Sequence, residues 1–258
     1  MRIDRALVAR GLVRSRGQAQ ELIGAGRVHL NGTAVAKASA LVSVDDRLQV
    51  EHDHYVSRAA HKLLGALDDL NLSVGGRALD AGASTGGFTQ VLLERGCQVV
   101  YAVDVGHGQL AAQLRQNPSV VSCERTNLRD LTLRHVDGEP VDLVVADVSF
   151  ISLTLLVPPL TTVLSRTGDL LLMVKPQFEV GRAILGKNGV VRSTDLHRDA
   201  IARVAEAAAV QGWLVWQIAP SRLPGPAGNL EYFVRFRTES PPAALDLDQV
   251  RRSGDAVS

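Results

Sequence analysis

The chain has 258 residues, 46% of them hydrophobic, and its 28 basic and 27 acidic residues give a formal net charge of +1. This length allows more than one domain, and the 2 cysteines predict neither a disulfide framework nor a metal site. Apolar runs are too short to cross a membrane and no apolar stretch follows Met1, so we expect a cytoplasmic protein without membrane contact.

Charge is unevenly distributed along the chain. Residues 1–44 contain seven basic and two acidic side chains, so the rest of the chain carries a slight negative charge. A basic segment joined to a nearly balanced one is typical of a nucleic-acid-binding module attached to another domain. The charge alone would fit a solvated basic helix equally well.

The first fifty residues predict a small α+β domain. Ile3 and Leu7 recur at helical spacing, and Gly11 ends this first helix. Ser15 is suited to cap a second helix. Asn31-Gly32 predicts a tight turn between two short strands.

Positions spread over this segment share a known pattern, namely Arg2-Ile3-Asp4, Gly11-Leu12, Ser15-Arg16, Ala19, Leu22-Ile23, Gly26, Asn31-Gly32 and Asp46. The pattern resembles the RNA-binding domain named after ribosomal protein S-four, of the αL type, over residues 1–52. The resemblance implies that basic and polar side chains contact RNA phosphates, at Arg2, Arg14, Arg16, Gln18 and Lys37. The alternative is that Arg14 and Arg16 only solvate the start of a helix.

Residues 53–58 are polar and are predicted to be a linker, after which strands and helices alternate over residues 59–240. The predicted strands are 77–80, 99–103, 120–123, 143–146, 168–174, 214–219 and 231–237, and the predicted helices are 89–94, 109–116, 155–164 and 196–211. This alternation predicts a parallel α/β sheet. The turn-rich loop before the last strand predicts an antiparallel hairpin at one edge. Residues 241–258 are predicted to be a disordered tail.

The end of the first of these strands carries the most informative motif, Asp80-Ala81-Gly82-Ala83-Ser84-Thr85-Gly86-Gly87. Its glycines allow close approach of a ligand at the strand end where doubly wound sheets bind nucleotides. The spacing differs from the dinucleotide and P-loop patterns. Asp80 suits a positively charged ligand such as S-adenosylmethionine, and Asp104, after the next strand, is placed to bind ribose hydroxyls. A plain strand–turn–helix would fit the motif alone almost as well.

Four charged residues are candidates for catalysis. Asp147 and Lys175 each follow an apolar strand, and a lysine there is costly unless it is paired or performs chemistry. Lys62, early in the helix before the first strand, and Glu231, at the start of the last strand, complete the set. The alternative is that Asp147 and Lys175 form a purely structural ion pair.

These residues lie in motifs that extend over nearly the whole chain, namely Val56-Ser57-Arg58, His61-Lys62-Leu63, residues 80–89, Asp104-Val105-Gly106, Glu124-Arg125-Thr126-Asn127, Asp147-Val148-Ser149-Phe150, Lys175-Pro176-Gln177-Phe178-Glu179 and Gly228-Asn229-Leu230-Glu231. The motifs resemble the TlyA, or haemolysin-A-like, family of ribosomal RNA cytidine-2′-O-methyltransferases. The resemblance implies an FtsJ-like, Rossmann-like class I methyltransferase domain with a seven-stranded sheet. It also implies that Lys62, Asp147, Lys175 and Glu231 are the catalytic tetrad.

The resemblance further implies a cofactor and partners. S-adenosylmethionine would be held, without a metal, by Asp80, Gly82, Ala83, Ser84, Thr85, Gly86, Asp104, Val105, Asn127 and Asp147. Arg58 would join the RNA-binding residues. The implied substrate is ribosomal RNA in the 30S subunit, the 50S subunit or both, and the protein is expected to be a monomer.

A mechanism follows from the tetrad. A ribose hydroxyl is a weak nucleophile, so we expect Lys175, as a neutral amine, to accept its proton while Asp147 and Glu231 orient the lysines. Phe150 could be an aromatic contact for a target nucleotide that is turned out of its RNA helix, or it could be a core residue.

Two rival functions are an RNA-binding assembly factor without catalysis and a membrane-active haemolysin. For the haemolysin, the sequence offers no membrane-spanning segment.

Overall fold

The computed structural model describes residues 1–51, 53–181, 189–225 and 227–241. Contacts divide the chain into one unit formed by Met1–His54 and a second that begins at Tyr55. Part of the predicted linker, 53–58, packs within the second unit, where the Val56 N–H donates a 2.9 Å hydrogen bond to Gln90 Oε1. The predicted disordered tail lies almost entirely outside the described residues.

The first unit has two helices and a three-stranded antiparallel sheet. Its elements are α1 (Ile3–Ala9), α2 (Arg16–Gly24), β1 (Val28–Leu30), β2 (Thr33–Ala34) and β3 (Leu48–Val50), with β1 in the middle of the sheet. Ser15 caps α2 as predicted, because its Oγ accepts a 3.2 Å hydrogen bond from the Gln18 N–H. Asn31 and Gly32 take the left-handed conformation that a two-residue turn between β1 and β2 requires.

The second unit is built around a seven-stranded mixed sheet. Its strands are β4 (Gly76–Ala81), β5 (Cys97–Val103), β6 (Val120–Cys123), β7 (Val141–Ala146), β8 (Leu164–Val174), β9 (Leu214–Pro220) and β10 (Tyr232–Arg237). They lie in the order β6-β5-β4-β7-β8-β10-β9, and β10 runs antiparallel to both of its neighbours. This arrangement confirms the predicted α/β fold, including the antiparallel hairpin at one edge.

The helices of this unit are α3 (Ala59–Asp69), α4 (Gly87–Glu94), α5 (Ala112–Arg115), α6 (Val157–Thr162), α7 (Pro176–Glu179) and α8 (Thr194–Val210). Two predicted helices are too long. Residues 109–116 form only α5, since the Ala111 N–H donates to the Thr85 oxygen in the loop before α4. Of residues 155–164, only Val157–Thr162 form an α-helix, α6, which begins at Val157 because Pro158 and Pro159 lack an N–H and fit only the first turn of a helix; Leu164 already belongs to β8.

Side chains of β8 alternate between two hydrophobic layers. Leu170 and Leu172 face the layer beneath α6 and α8, and Leu171 faces the layer beneath α3 and α4. Both faces are buried, which explains the continuous apolar run in the sequence. The parallel strands β4, β5, β7 and β8 end at one edge of the sheet. The antiparallel β10 begins at that edge, where Tyr232 pairs with Val174.

Candidate active site

The loop between β4 and α4 lies at this edge and has no room for side chains at two of its glycines. A Cβ on Gly82, whose φ is 86°, would lie 2.7 Å from the backbone oxygen of Asp147. A Cβ on Gly86, whose φ is 95°, would overlap the side chains of Leu110 and Leu114. The loop can therefore pack this closely only with glycine at both positions.

Asp104 follows β5 and holds this loop. Its carboxylate accepts the Ser84 N–H at 2.8 Å and the Gly106 N–H at 2.7 Å. Each oxygen keeps a further lone pair, so the carboxylate can still accept hydrogens from the hydroxyls of a ligand. The neighbouring Val105 side chain is 75% exposed.

A small pocket opens beside Asp104 and is lined by Ala83, Ser84, Ala102, Asp104, Gly106, Gln109, Leu110, Ser122 and Glu124. Glu124 is not among the cofactor residues predicted from the sequence. It directly follows β6, just as Asp104 directly follows β5. A hydrogen bond from the Gly108 N–H lowers the pKa of Glu124. Asn127, which the resemblance assigned to the cofactor, lies outside this lining and accepts the Arg129 N–H at 3.1 Å.

Asp80, near the end of β4, is fully buried. Thr89 Oγ1 donates a 2.6 Å hydrogen bond to Asp80 Oδ2, whereas Oδ1 has no hydrogen-bond partner among the described residues. Burial, with a smaller contribution from the charge of Asp147, raises the pKa of Asp80 to about 7. A cation next to Oδ1 would stabilise the carboxylate, so Asp80 fits a positively charged ligand such as S-adenosylmethionine.

Asp80→Asn should remove part of the pH dependence of stability. The pKa of Asp80 rises from 3.8 to about 7 on folding, so the free energy of unfolding should fall as the pH rises through that interval. The neutral amide avoids this cost and still accepts from Thr89, so the variant should be more stable by about 1–4 kcal/mol at pH 8. Urea unfolding without ligand at pH 5 and pH 8 measures this difference. An unchanged pH dependence in the variant would contradict the explanation.

Lys62 and Glu231 form a buried ion pair. Lys62 Nζ in α3 lies 2.5 Å from Glu231 Oε2, and the two side chains are 5% and 1% exposed. Glu231 directly precedes β10, and a Cβ on Gly225 would lie 2.6 Å from its Oε1, so the loop before β10 covers the carboxylate. Removing either partner would leave the other charge buried and unpaired.

Lys175 and Asp147 form a second ion pair, at the ends of β8 and β7. Lys175 Nζ lies 2.6 Å from Asp147 Oδ1, but the angles of this contact are outside the range of a hydrogen bond. Lys175 Nζ does donate a 2.9 Å hydrogen bond to Ser149 Oγ. Because β10 starts opposite the end of β8, Glu231 lies across from Lys175. The four residues of the predicted tetrad therefore lie at the same edge of the sheet, as two ion pairs.

Phe150 lies at the surface beside the second ion pair. Its side chain is 90% exposed and its backbone φ is 67°, so the alternative that it is a core residue is wrong. Its ring centroid is 5.3 Å from that of Phe178, and the Phe178 ring centroid is 5.9 Å from Lys175 Nζ. An exposed aromatic ring thus lies near the lysine through its contact with Phe178, on a residue whose left-handed backbone conformation is uncommon for phenylalanine.

In the first unit, two of the predicted RNA-binding arginines hold a buried carboxylate. Asp4 accepts hydrogen bonds from Arg2 Nη2 at 3.1 Å and from Arg16 Nη2 at 2.8 Å. The Arg16 bond holds the pKa of Asp4 well below its usual range. The side chains of Arg2 and Arg16 are about half exposed, and Arg14 and Lys37 are exposed as well.

The other two predicted RNA-binding residues make contacts within their own units. Gln18 Oε1 accepts the Arg14 N–H at 2.8 Å, which extends the cap of α2. Arg58, in the second unit, is exposed and donates a 2.8 Å hydrogen bond to the Pro224 oxygen. Arg58 therefore contacts the same loop that covers Glu231.

Two further kinds of site are absent from the part of the chain that the structure describes. No helix in these residues is long and apolar enough to cross a membrane. No group of three or more His, Cys, Asp or Glu residues in them is arranged to hold a metal ion. Cys97 and Cys123 are free thiols, and burial raises the pKa of Cys97 to about 11, so it is not a thiolate at neutral pH.

The sheet is parallel except for an antiparallel hairpin at one edge, and it carries a glycine loop after its first strand and a carboxylate after its second. This combination is typical of the class I methyltransferases. The FtsJ-like methyltransferase model matches residues 55–238, and the S4 domain model matches residues 1–48. The FtsJ-like family implies use of S-adenosylmethionine in general.

Comparison with individual proteins narrows this class. The 16S/23S rRNA (cytidine-2′-O)-methyltransferase TlyA of Mycobacterium tuberculosis is 51% identical and covers 93% of this chain and 90% of its own length. Hemolysin A of Brachyspira hyodysenteriae is 38% identical, over 92% of this chain and 99% of that protein. A solved structure from Streptococcus thermophilus, described as a candidate hemolysin, has a TM-score of 0.79 and 36% identity over 99% of this chain and 96% of its own. The chain therefore belongs to the FtsJ-like methyltransferases and, within them, to the TlyA family of rRNA (cytidine-2′-O)-methyltransferases.

Proposed function

We propose that this protein transfers the methyl group of S-adenosylmethionine to the ribose 2′-hydroxyl of a cytidine in ribosomal RNA, within the 30S subunit, the 50S subunit or both. The proposal rests on two ion pairs, Lys62–Glu231 and Lys175–Asp147, which lie at the edge of the sheet next to the glycine loop. The substrate is proposed from the similarity to TlyA of Mycobacterium tuberculosis, which is named as a 16S/23S rRNA (cytidine-2′-O)-methyltransferase. A basic first unit of the S4 type supports RNA as the partner.

The cofactor would be held mainly by residues at or after the ends of β4 and β5, together with Asn127 after β6 and Asp147 after β7. S-adenosylmethionine supplies, when bound, a methyl group on a positively charged sulfur. Asp80, which has an unpartnered buried oxygen, suits that charge, and Asp104 suits the ribose hydroxyls. The remaining residues proposed to hold the cofactor are Gly82, Ala83, Ser84, Thr85, Gly86 and Val105.

Lys175 is the proposed base. In this proposal its Nζ, as a neutral amine, accepts the proton of the 2′-hydroxyl and becomes an ammonium ion. The 2′-oxygen forms a bond to the methyl carbon while the carbon–sulfur bond breaks and its electron pair goes to sulfur. The Asp147 carboxylate, 2.6 Å away, stabilises the ammonium ion that forms. Lys62, fixed by Glu231, keeps a positive charge at this edge, which favours the oxygen as it loses its proton.

Phe150 is proposed to contact the base of the target nucleotide. An exposed ring that is held near Lys175 by Phe178 offers a flat apolar surface. A nucleotide within a folded RNA must be turned out of its stack to reach a buried lysine, and an aromatic ring can replace part of the lost stacking.

Methyl transfer to isolated subunits tests the proposed function. Purified 30S and 50S subunits from cells that lack this enzyme would be incubated with the full chain and S-adenosylmethionine with a tritiated methyl group. Label should enter the RNA of at least one subunit. Binding without label would support the alternative of an assembly factor without catalysis and contradict the proposal.

Asp104→Ala should weaken S-adenosylmethionine binding by about 1.5–3 kcal/mol, because a charge-assisted hydrogen-bond pair to the ribose is lost. The change also frees the N–H groups of Ser84 and Gly106, which loosens the loop. Calorimetric titration gives the affinity, with Asp130→Ala, an exposed carboxylate at the end of a short 3-10 helix, as the control. Equal affinity of Asp104→Ala and the wild type would mean that the ribose is held elsewhere.

Replacing Arg14 and Lys37 by alanine should weaken binding to ribosomal subunits and flatten its salt dependence. Each lost phosphate contact removes about 0.9 units from the log–log slope of affinity against salt concentration. These two residues are better targets than Arg16, whose removal would also leave Asp4 without its closest partner. Filter binding at several salt concentrations measures the slope. An unchanged slope would remove both side chains from the RNA interface.

A further inference from the structure

Ser149 contacts the proposed base directly. It lies two residues after Asp147 in the turn that follows β7, and its Oγ accepts a 2.9 Å hydrogen bond from Lys175 Nζ. The closer Asp147 contact, at 2.6 Å, attracts the ammonium group but lacks the angles of a hydrogen bond. Ser149 therefore provides the directed bond to Lys175, while Asp147 provides the charge.

A base needs its lone pair aimed at the proton that it accepts. A neutral lysine amine has two N–H bonds and one lone pair, and it rotates freely about its Cε–Nζ bond unless a partner fixes it. The bond to Ser149 fixes one N–H. The negative charge of Asp147 repels the lone pair, so of the two remaining positions the lone pair takes the one that faces away from this carboxylate.

The turn that carries Ser149 is itself fixed. The Asp147 N–H donates to the Ala81 oxygen at 3.1 Å, which ties the start of the turn to β4. At its other end, Glu179 accepts the Leu153 N–H at 2.8 Å. The Ser149 hydroxyl is therefore presented from a turn that is anchored on both sides, as a group that positions another side chain must be.

We propose that Ser149 is a positioning residue, which fixes the rotation of the Lys175 amine so that its lone pair meets the 2′-hydroxyl. The inference rests on the proposed function, in which Lys175 accepts the proton. Loss of the serine hydroxyl leaves the cofactor residues and Asp147 in place but lets the amine rotate. Such misdirection lowers the rate of the chemical step without weakening substrate binding.

Ser149→Ala and Ser149→Thr test this inference together. For each variant, kcat and KM are measured with ribosomal subunits, S-adenosylmethionine affinity by calorimetry, and stability by thermal unfolding. We expect Ser149→Ala to lower kcat about 10–100-fold with KM, cofactor affinity and Tm unchanged. Ser149→Thr keeps a hydroxyl on Cβ and should recover most of the rate. Ser165→Ala, at the opposite end of β8, is the control and should match the wild type.

Three results would overturn the inference. They are full kcat in Ser149→Ala, a higher KM with unchanged kcat, which would make Ser149 an RNA contact, and a rate in Ser149→Thr as low as in Ser149→Ala. The proposed function fails separately, if the wild type transfers no methyl group. A wild-type enzyme that needs Lys175 but not the Ser149 hydroxyl would leave the proposed function standing and remove only the inference.

Discussion

Lys175→Ala is expected to reduce methyl transfer to ribosomal subunits by at least about 100-fold, because the ribose hydroxyl loses its proton acceptor. S-adenosylmethionine should still bind, since Lys175 follows β8 and most of the proposed cofactor residues lie at or after the ends of β4 and β5. Single-turnover methyl transfer and calorimetry measure the two quantities. Near-normal turnover of the variant would remove Lys175 from the mechanism.

Lys175→Arg separates the proposed base from a purely structural ion pair. Arginine keeps the positive charge beside Asp147 but does not give up its proton in proteins. If Lys175 is the base, this variant should be as inactive as Lys175→Ala while it retains wild-type stability. If the pair with Asp147 is only structural, Lys175→Arg should restore activity, which would contradict the mechanism.

Glu231→Ala is expected to destabilise the second unit by about 3–5 kcal/mol, because Lys62 would remain buried without its partner. Urea unfolding at neutral pH measures the change in the free energy of unfolding. Methyl transfer should be lost as well, since Lys62 loses the carboxylate that fixes it.

Replacing both partners separates stability from activity. Lys62→Met combined with Glu231→Leu removes both charges and fills the site with apolar side chains, so much of the lost stability should return. Methyl transfer should stay absent in the double variant. An active double variant would show that the Lys62–Glu231 pair is not needed for methyl transfer. A double variant no more stable than Glu231→Ala would show that the unpaired charge of Lys62 is not the cause of the lost stability.

The positions of the site residues could largely be predicted from the sequence because they follow strand ends. An apolar strand of a parallel sheet is a strong signal, and charged residues directly after such strands meet at one edge. Asp104, Asp147 and Lys175 were predicted in this way. Glu124 also follows a strand, so the same rule extends to it, although it is not among the site residues predicted from the sequence.

The contacts of these residues could not be predicted, because they depend on distances between segments that are far apart in the chain. Arg16 and Asp4 are 12 residues apart, and only the packing of α1 against α2 brings the guanidinium group to the buried carboxylate. Likewise, the sequence gives no reason why Lys175 should bond to Ser149 or why Phe150 should be exposed and have a left-handed backbone.

Identification of the methylated nucleoside tests the central claim most directly. Ribosomal RNA labelled by the full chain would be digested to nucleosides and separated by chromatography with mass spectrometry, and a second portion would be treated with alkali. We expect the label in 2′-O-methylcytidine, and the neighbouring phosphodiester bond should survive alkali, because cleavage requires a free 2′-hydroxyl. Label in a base-methylated nucleoside, or alkali cleavage at the labelled position, would contradict transfer to the ribose.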